Sequence, residues 1–346
     1  MTSVRITSVG RAEPPYRIQQ GDAALRIGDA AGDARRVAAI ARGTQIDYRT
    51  LALSPAEISR LGSIEERNQR YAELAPSLAF EAARRTLAGR QAALASIGRV
   101  VTTSCTGYMV PGWDVDLVQE LGLSPASERI PLTQAGCAGG VVAIARAADY
   151  ARAHPGKAAL AVAAELFSLA FHPRTEAGNL TASLIFGDGA GAALIESTDA
   201  AAGLEIIDSS STLLPCSRDA IGFALTDGGF YPLLTRELAE ILPAPTLAAA
   251  AELASRHGLE LGGVAFWLVH PGGARILTAL EATLDLPEDA LRWSRASLRD
   301  HGNMSSVSIL DILGRYLDDA TAPRGWGLVV AFGPGVSLEL LLVRRC

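Results

Sequence analysis

An α/β fold with buried sheets, assembled from two related halves, is what this sequence predicts, and three observations lead there. Segments with strand character alternate with segments of helical spacing along the chain, the pattern of layered α/β domains. Several strand segments are apolar on both faces, Ala158 to Glu165 above all, as sheets covered on both sides require. A similar succession of elements begins again near residue 201, so residues 1–200 and 201–346 read as an N-terminal and a C-terminal half.

Element by element, Val4 to Gly10 reads as an opening strand closed by Gly10 and Pro14-Pro15, and Ile18 to Ala30 as a helical unit. Ile64 to Ala88 has helical spacing and stops near Gly89, and the β-branched run Ile97 to Ser104 is a strand. A loop, Cys105 to Gly112, precedes a short helix from Asp114 to Leu121. Val141 to His154 is a helix ended by Pro155-Gly156, followed by the buried strand from Ala158. Thr181 to Phe186 leads into Gly187-Asp188-Gly189-Ala190-Gly191, expected to be a closely packed turn before the strand Ala192 to Glu196. In the second half, Leu247 to His257 and Ala274 to Leu284 are helices on either side of the strand Val264 to His270. Asn303 is expected to open a helix from Met304 to Leu317, whose Val307, Leu310, Leu313 and Leu317 share one face. Trp326 to Phe332 and Val336 to Val343 close the chain as a strand pair around Gly333-Pro334-Gly335.

The 346 residues, 49% hydrophobic and 20% charged, supply enough apolar surface for a large core and exclude a disordered chain. With a net charge of −6 and no segment dense in Lys or Arg, nucleic acid and anionic membrane are poor partners. The four cysteines, Cys105, Cys137, Cys216 and Cys346, follow neither a disulfide framework nor a zinc spacing. Residues 1–6 lack the apolar core of a signal peptide, and the apolar segment from Ala158 to Phe171 is short for a membrane span and carries Glu165. A cytoplasmic enzyme is the resulting expectation.

Three segments carry the chemistry: Gly136-Cys137-Ala138-Gly139-Gly140, His270-Pro271-Gly272-Gly273 and Gly302-Asn303-Met304-Ser305-Ser306. A cysteine nucleophile works as its thiolate, which an imidazole and a helix N-terminus both favour, and Cys137 directly precedes a helix. A side-chain amide such as Asn303 can donate to an oxyanion or enolate. Taken singly, Cys137 could be core packing, His270 a buried structural histidine and Asn303 a helix cap; together they make a catalytic set. Cys105 is either small apolar filler or part of a cavity wall. Gly187 to Gly191 fails as a dinucleotide fingerprint because it precedes a strand instead of opening a helix, and no metal-ligand spacing occurs.

These motifs, with Phe186-Gly187-Asp188-Gly189-Ala190 and Phe332-Gly333-Pro334-Gly335, closely resemble the bacterial type III polyketide synthases, the chalcone synthase-like family of the thiolase fold. The resemblance runs from about Ile97 to the end and is looser over the first ninety residues. It implies an αβαβα layered fold, a homodimer, and coenzyme A thioesters (malonyl-CoA and an acyl-CoA starter) as substrates, with no redox or metal cofactor. By position, Cys137 matches the acyl-carrying nucleophile, His270 and Asn303 its polar partners, and Phe186 a gate between a pantetheine tunnel and a cavity. Pro232 falls at the facing gate position, often aromatic in the family, with Phe230 and Tyr231 adjacent. Cys105, Ala170, Phe223 and Ser305 match cavity-lining positions, Gly333 belongs to a matching motif, and Arg275 and Arg49 are candidate contacts of the coenzyme A phosphates.

The implied reaction is iterative decarboxylative condensation of malonyl-CoA onto an acyl group held by Cys137, then cyclisation. Small Ala170 and the Cys105 loop rank a fatty acyl starter and an alkylpyrone or alkylresorcinol product first. A malonyl-primed synthase of the tetrahydroxynaphthalene type ranks second. A ketoacyl synthase III-type single condensation and a non-catalytic thiolase-fold partner subunit are the remaining readings.

Overall fold

A computed structural model describes residues 3–170, 177–200, 202–227, 229–235 and 237–346. Its framework is a nine-stranded sheet, in the order Val264–Val269, Gly325–Gly333, Ser337–Arg345, Leu204–Leu213, Ser3–Ala12, Asp188–Thr198, Ala158–Leu166, Ile97–Thr103 and Glu128–Leu132. The opening strand Ser3–Ala12 joins the two wings, since it pairs antiparallel with Asp188–Thr198 and, through Arg5 and Ile6, with Leu204–Leu213. In each wing the outermost pairs are parallel, as the crossover helices require.

Packing defines the layers of the thiolase-like fold. Helices Gly139–Ala153 and Ser306–Asp318 share one core with strand residues of both wings, including Val101, Ala161, Leu268 and Val329, so they form the middle layer. Helix Ile64–Leu87 covers the outer face of the N-terminal wing through Ala75, Ala79, Ala82 and Ala83. Helices Pro243–Ser255 and Ala274–Thr283 cover the C-terminal wing through Leu253, Leu277 and Leu280. All nine residues of the strand Ala158–Leu166 are buried, which accounts for its continuous apolar run.

Two expected elements differ. The helix after Asn303 begins at Ser306, not Met304, because Ser305 adopts φ = 51°, outside helical space. Asn303 is therefore no helix cap but forms an isolated bridge with Phe186. The glycine segment after Phe186 is not a turn either: from Asp188 onward it belongs to the strand Asp188–Thr198. Close packing does hold there, since a Cβ at Gly187 would strike the His301 carbonyl, and Cβ atoms at Gly189 and Gly191 would press on Met304 and Leu310.

The middle layer depends on small residues where its two helices meet. A Cβ at Gly140 would collide with the Ser306 carbonyl and the Ile309 side chain. Gly140→Ala should therefore cost about 1–3 kcal/mol by overpacking, read as a lower urea midpoint; an unchanged midpoint would show that the helices part freely.

Candidate active site

Cys137 lies in the short 3₁₀ turn Gly136–Ala138, immediately before helix Gly139–Ala153. Gly136, at φ = 52°, lets that turn pack on Pro334, and Gly333 admits it from the other side, where a Cβ would crowd Ala138 and the Ala135 carbonyl. Gly333 thus seats the nucleophile turn. Asn303 and Ser305 sit at the head of the second middle helix, and both side chains lie close enough to the Cys137 sulfur to favour its thiolate. The backbone N–H of Ser305 donates to Asn303 Oδ1 at 2.8 Å, which orients the amide so that its nitrogen faces outward as a donor.

His270 follows the strand Val264–Val269, and its N–H donates to the Val330 carbonyl at 2.7 Å. Strand Gly325–Gly333 thus anchors His270 at its side, while the Cys137 turn packs on Gly333-Pro334 at its end. The ring is 1% exposed, and neither ring nitrogen has a hydrogen-bond partner among the described residues. Two orphaned polar atoms in a dry site are costly unless a ligand meets them.

Burial dominates the electrostatics. Desolvation pushes the Cys137 thiol, which keeps partial exposure, up to about 12, against the lowering effect of Ser305 and Asn303, and it pushes the buried His270 imidazole down to about 3. Neither group ionises alone, so the helix N-terminus does not by itself deliver the thiolate anticipated from the sequence. Moving the proton from sulfur to imidazole leaves the net charge unchanged, and thus avoids the larger cost of one uncompensated buried charge.

Around Cys137 the wall is aromatic and small. Phe167, Ala170, Ala182 and Phe186 form one buried cluster, with Cys105, Cys137, Phe223, Phe230 and Leu234 packed against it. Phe167 stacks on Phe186, with centroids 4.2 Å apart, and Phe223 approaches Phe167 at 6.0 Å and Phe230 at 6.3 Å. Pro232 is buried opposite Phe223 in the hairpin of Ile221–Thr226 and Gly229–Leu234, where alternation sets it on the same side as Phe230 and Leu234. Phe230 is the ring of that hairpin strand that packs on the cluster.

Glu165 is the site residue that sequence reasoning missed. Fully buried, it accepts hydrogen bonds from Ser306 Oγ (2.6 Å), the Cys105 N–H (3.0 Å), Thr106 Oγ1 (3.0 Å) and Ser104 Oγ (3.3 Å). The Cys105 thiol lies 3.5 Å from its carboxylate and 3.8 Å from Ser305 Oγ, so Cys105 joins a polar network and is not mere filler. Burial raises Glu165 to about 7, and desolvation with the neighbouring carboxylate raises Cys105. A glutamate inside an apolar strand was the available signal, since an unpaired charge there needs several donors.

The two arginines part company. Arg275 and Arg36, both exposed, border a cavity of about 600 Å³ with Thr44, Thr181, Ile185 and Gly273. Arg36 was not singled out in the sequence because one surface arginine among many carries no local mark. Arg49 does not border that cavity: it is 5% exposed, and its guanidinium donates to Gln20 Oε1 at 3.0 Å, to the Phe186 carbonyl at 3.2 Å and to the Ser183 carbonyl. A second cavity of about 660 Å³ lies on the Arg49 side, bordered by Ile27, Leu51, Ile58, Phe167 and Phe186.

With this geometry in view, the known families can be compared. Residues 48–199 match the N-terminal domain, and residues 205–346 the C-terminal domain, of chalcone and stilbene synthases. The chain belongs to that family. This chalcone synthase-like acyltransferase is 35% identical over 280 residues to the 1,3,6,8-tetrahydroxynaphthalene synthase of Streptomyces coelicolor, covering 80% of this chain and 74% of the relative. It is 30% identical to the alpha-pyrone synthesis polyketide synthase-like Pks18 of Mycobacterium tuberculosis, over 97% of this chain and 90% of that one. The crystal structure of the S. coelicolor tetrahydroxynaphthalene synthase, a bacterial type III polyketide synthase, superposes with a TM-score of 0.93 over 99% of both chains at 30% identity.

In this type III polyketide synthase, Glu165 gives stability a definite pH dependence. Its folded pKa lies above the ordinary 4.5, at about 7. Between those values the folded chain keeps a proton that the unfolded chain releases, so this contribution falls as pH rises and is fully lost above the folded pKa. Glu165→Gln should remove that part of the slope, leaving the contribution of Asp188, itself raised to about 6 by burial. Urea midpoints measured across this window check it; identical slopes for both proteins would contradict the assignment.

Proposed function

We propose that the chain carries out iterative decarboxylative condensation, with Cys137 as acyl carrier and His270 and Asn303 as its polar partners. The observation that carries this reading is the buried His270, whose two ring nitrogens have no hydrogen-bond partner among the described residues. As the thiol of Cys137 attacks the starter thioester, its proton passes to His270 and then to the departing coenzyme A thiol. Neutral imidazole is thereby restored, in keeping with its depressed pKa. One imidazole N–H and the Asn303 amide then donate to the malonyl thioester carbonyl. Carbon dioxide leaves, and the electron pair of the broken bond becomes an enolate stabilised by those donors. The enolate carbon attacks the Cys137 acyl carbonyl, the C–S bond breaks, and the extended chain remains on coenzyme A. The apolar ring of Phe186 disfavours the charged malonyl carboxylate and favours its loss.

The cavity bordered by Arg36 and Arg275 suits the pantetheine arm and phosphates of coenzyme A, and no metal or redox group is needed for these steps. The enzyme acts as a cytoplasmic homodimer in this reading; no described helix is long and apolar enough to cross a membrane.

For the starter, the rings of Phe167, Phe186, Phe223 and Phe230 around Cys137 favour a short unit, malonyl-CoA itself, and a compact aromatic product. The S. coelicolor relative named for tetrahydroxynaphthalene fits this choice. The fatty acyl starter ranked first from the small Ala170 keeps two supporting observations, the cavity bordered by Phe167 and Phe186 and the M. tuberculosis relative named for alpha-pyrone synthesis.

Mass spectrometry of products from malonyl-CoA alone, and then with acyl-CoA starters of increasing length, decides between them. The expected outcome is an aromatic product from malonyl-CoA alone. Phe167→Ala, by opening the chamber toward the apolar cavity, should extend the accepted starters to longer chains; long-chain pyrones from the unaltered enzyme would reverse the order of the two readings. The proton transfer has its own check in iodoacetamide alkylation of Cys137. His270→Gln should slow it about tenfold or more near neutral pH, as loss of a general base for the thiol requires. An equal rate in both proteins would remove His270 from thiol activation.

A further inference from the structure

Gate and amide donor are built into one hydrogen-bonded unit. Helix Ala177–Ile185 ends just before Phe186, and its last carbonyls all have donors from outside the helix. Arg49 donates to the Ser183 carbonyl, Gln20 Nε2 to the Leu184 carbonyl at 2.7 Å, and the backbone N–H of Asn303 to the Ile185 carbonyl at 2.8 Å. Arg49 then reaches the Phe186 carbonyl at 3.2 Å, while the Gly187 N–H returns to the Asn303 carbonyl at 3.0 Å. Gly302, at φ = 76°, fits beneath: a Cβ there would crowd the Ile185 carbonyl and the Arg49 stem.

The same chain of bonds runs outward. Gln20 accepts from Arg49 Nε through Oε1 and donates through Nε2 to Thr44 Oγ1 at 3.1 Å. Thr44 follows helix Ala34–Gly43 and borders the cavity of Arg36 and Arg275. A cation at a helix C-terminus is stabilised by the carbonyl dipoles, and the planar guanidinium holds Nη1, which donates to both carbonyls, in fixed relation to Nε on Gln20, as an ammonium cannot.

We propose that Arg49 is a positioning residue for the decarboxylation half-reaction. Its guanidinium fixes the carbonyl end of helix Ala177–Ile185 and thereby holds the Phe186 ring and the Asn303 amide in register, without touching coenzyme A. The proposal rests on the polyketide reading above and assigns to a residue outside the chamber a part of the malonyl step only. Loading of Cys137 needs the thiol and His270, neither of which Arg49 contacts.

Decarboxylation of malonyl-CoA and of malonyl-N-acetylcysteamine thioester by wild type, Arg49→Lys, Arg49→Gln and Arg275→Gln tests it, with loading of Cys137 followed by intact-protein mass. Arg49→Gln should lower kcat for both thioesters roughly ten- to a hundredfold, the scale of a small misplacement of reacting groups. The KM ratio of the two thioesters should stay as in wild type, the Cys137 loading rate should fall far less than kcat although Asn303 also borders the Cys137 sulfur, and Arg49→Lys should recover part of the loss. Arg275→Gln should instead raise KM for malonyl-CoA alone. A rise in KM for malonyl-CoA only in the Arg49 variants would make Arg49 a coenzyme A contact and overturn the proposal. Parallel loss of loading and decarboxylation in folded protein would reduce it to general stability and overturn it equally. If Arg49→Gln fails to fold, Gln20→Met, which withdraws one partner of the fork, should show the same selective loss in smaller measure; no selective loss there overturns the role. A wild-type protein inert toward both malonyl thioesters would overturn the polyketide reading itself.

Discussion

The meeting of the two middle-layer helices is the constraint on which this structure depends. Gly139 and Gly140 begin one helix and Ser306 begins the other, and the absence of a Cβ on either glycine lets Ser306 pack directly against the first helix. That close approach brings two helix N-termini to one dry point, with Cys137 leading into the first and Asn303 and Ser305 leading into the second. Both termini present the positive end of a dipole, so negative charge is favoured there wherever it forms. The outer helices and both wings of the sheet serve to keep water away from that point.

Dryness sets the chemistry. With the thiol pushed up and the imidazole pushed down, the resting pair is neutral, and charge appears only when substrate chemistry moves a proton or an electron pair. The buried carboxylates obey the same rule. Glu165 is surrounded by Ser, Thr and backbone donors, and Asp188 accepts from the Ala52 N–H at 2.7 Å, the Ser168 N–H at 2.8 Å and the Ser168 hydroxyl. Each is tolerated because its lone pairs are met, and burial still raises its pKa. Glu165 thus ties Cys105 and the head of the second helix together, while Asp188 ties the strand after the gate to the segment beyond Arg49.

Much of this was legible in the residues. Apolar runs such as Ala158–Leu166 and the spacing of Ile64–Leu87 identify strands and helices because burial on one or both faces leaves a local periodic record. Cys137, His270 and Asn303 stand out because close approach of backbone and substrate requires glycine beside them. The departures have equally definite causes. Ser305 bends at positive φ because tertiary contacts with the Cys137 sulfur and Cys105 hold it there, against its intrinsic preference, which displaces the helix start. Arg49 entered as a candidate anion contact through the family resemblance, and a charge in sequence does not reveal that helix carbonyls will surround it.

By itself the sequence determined the alternation of elements, the buried character of the sheets and the identity of the reactive side chains, since each is written in residue types and short spacings. Only the tertiary structure decided which groups share the site with them. Glu165 joins Cys105 and Ser306 across separations of 60 and 141 residues, and Arg49 reaches Phe186 across 137. Contacts over such distances leave no periodic signal along the chain. They arise from how the sheet wings and the middle helices close on one another, and burial then fixes the protonation states that make the residues useful.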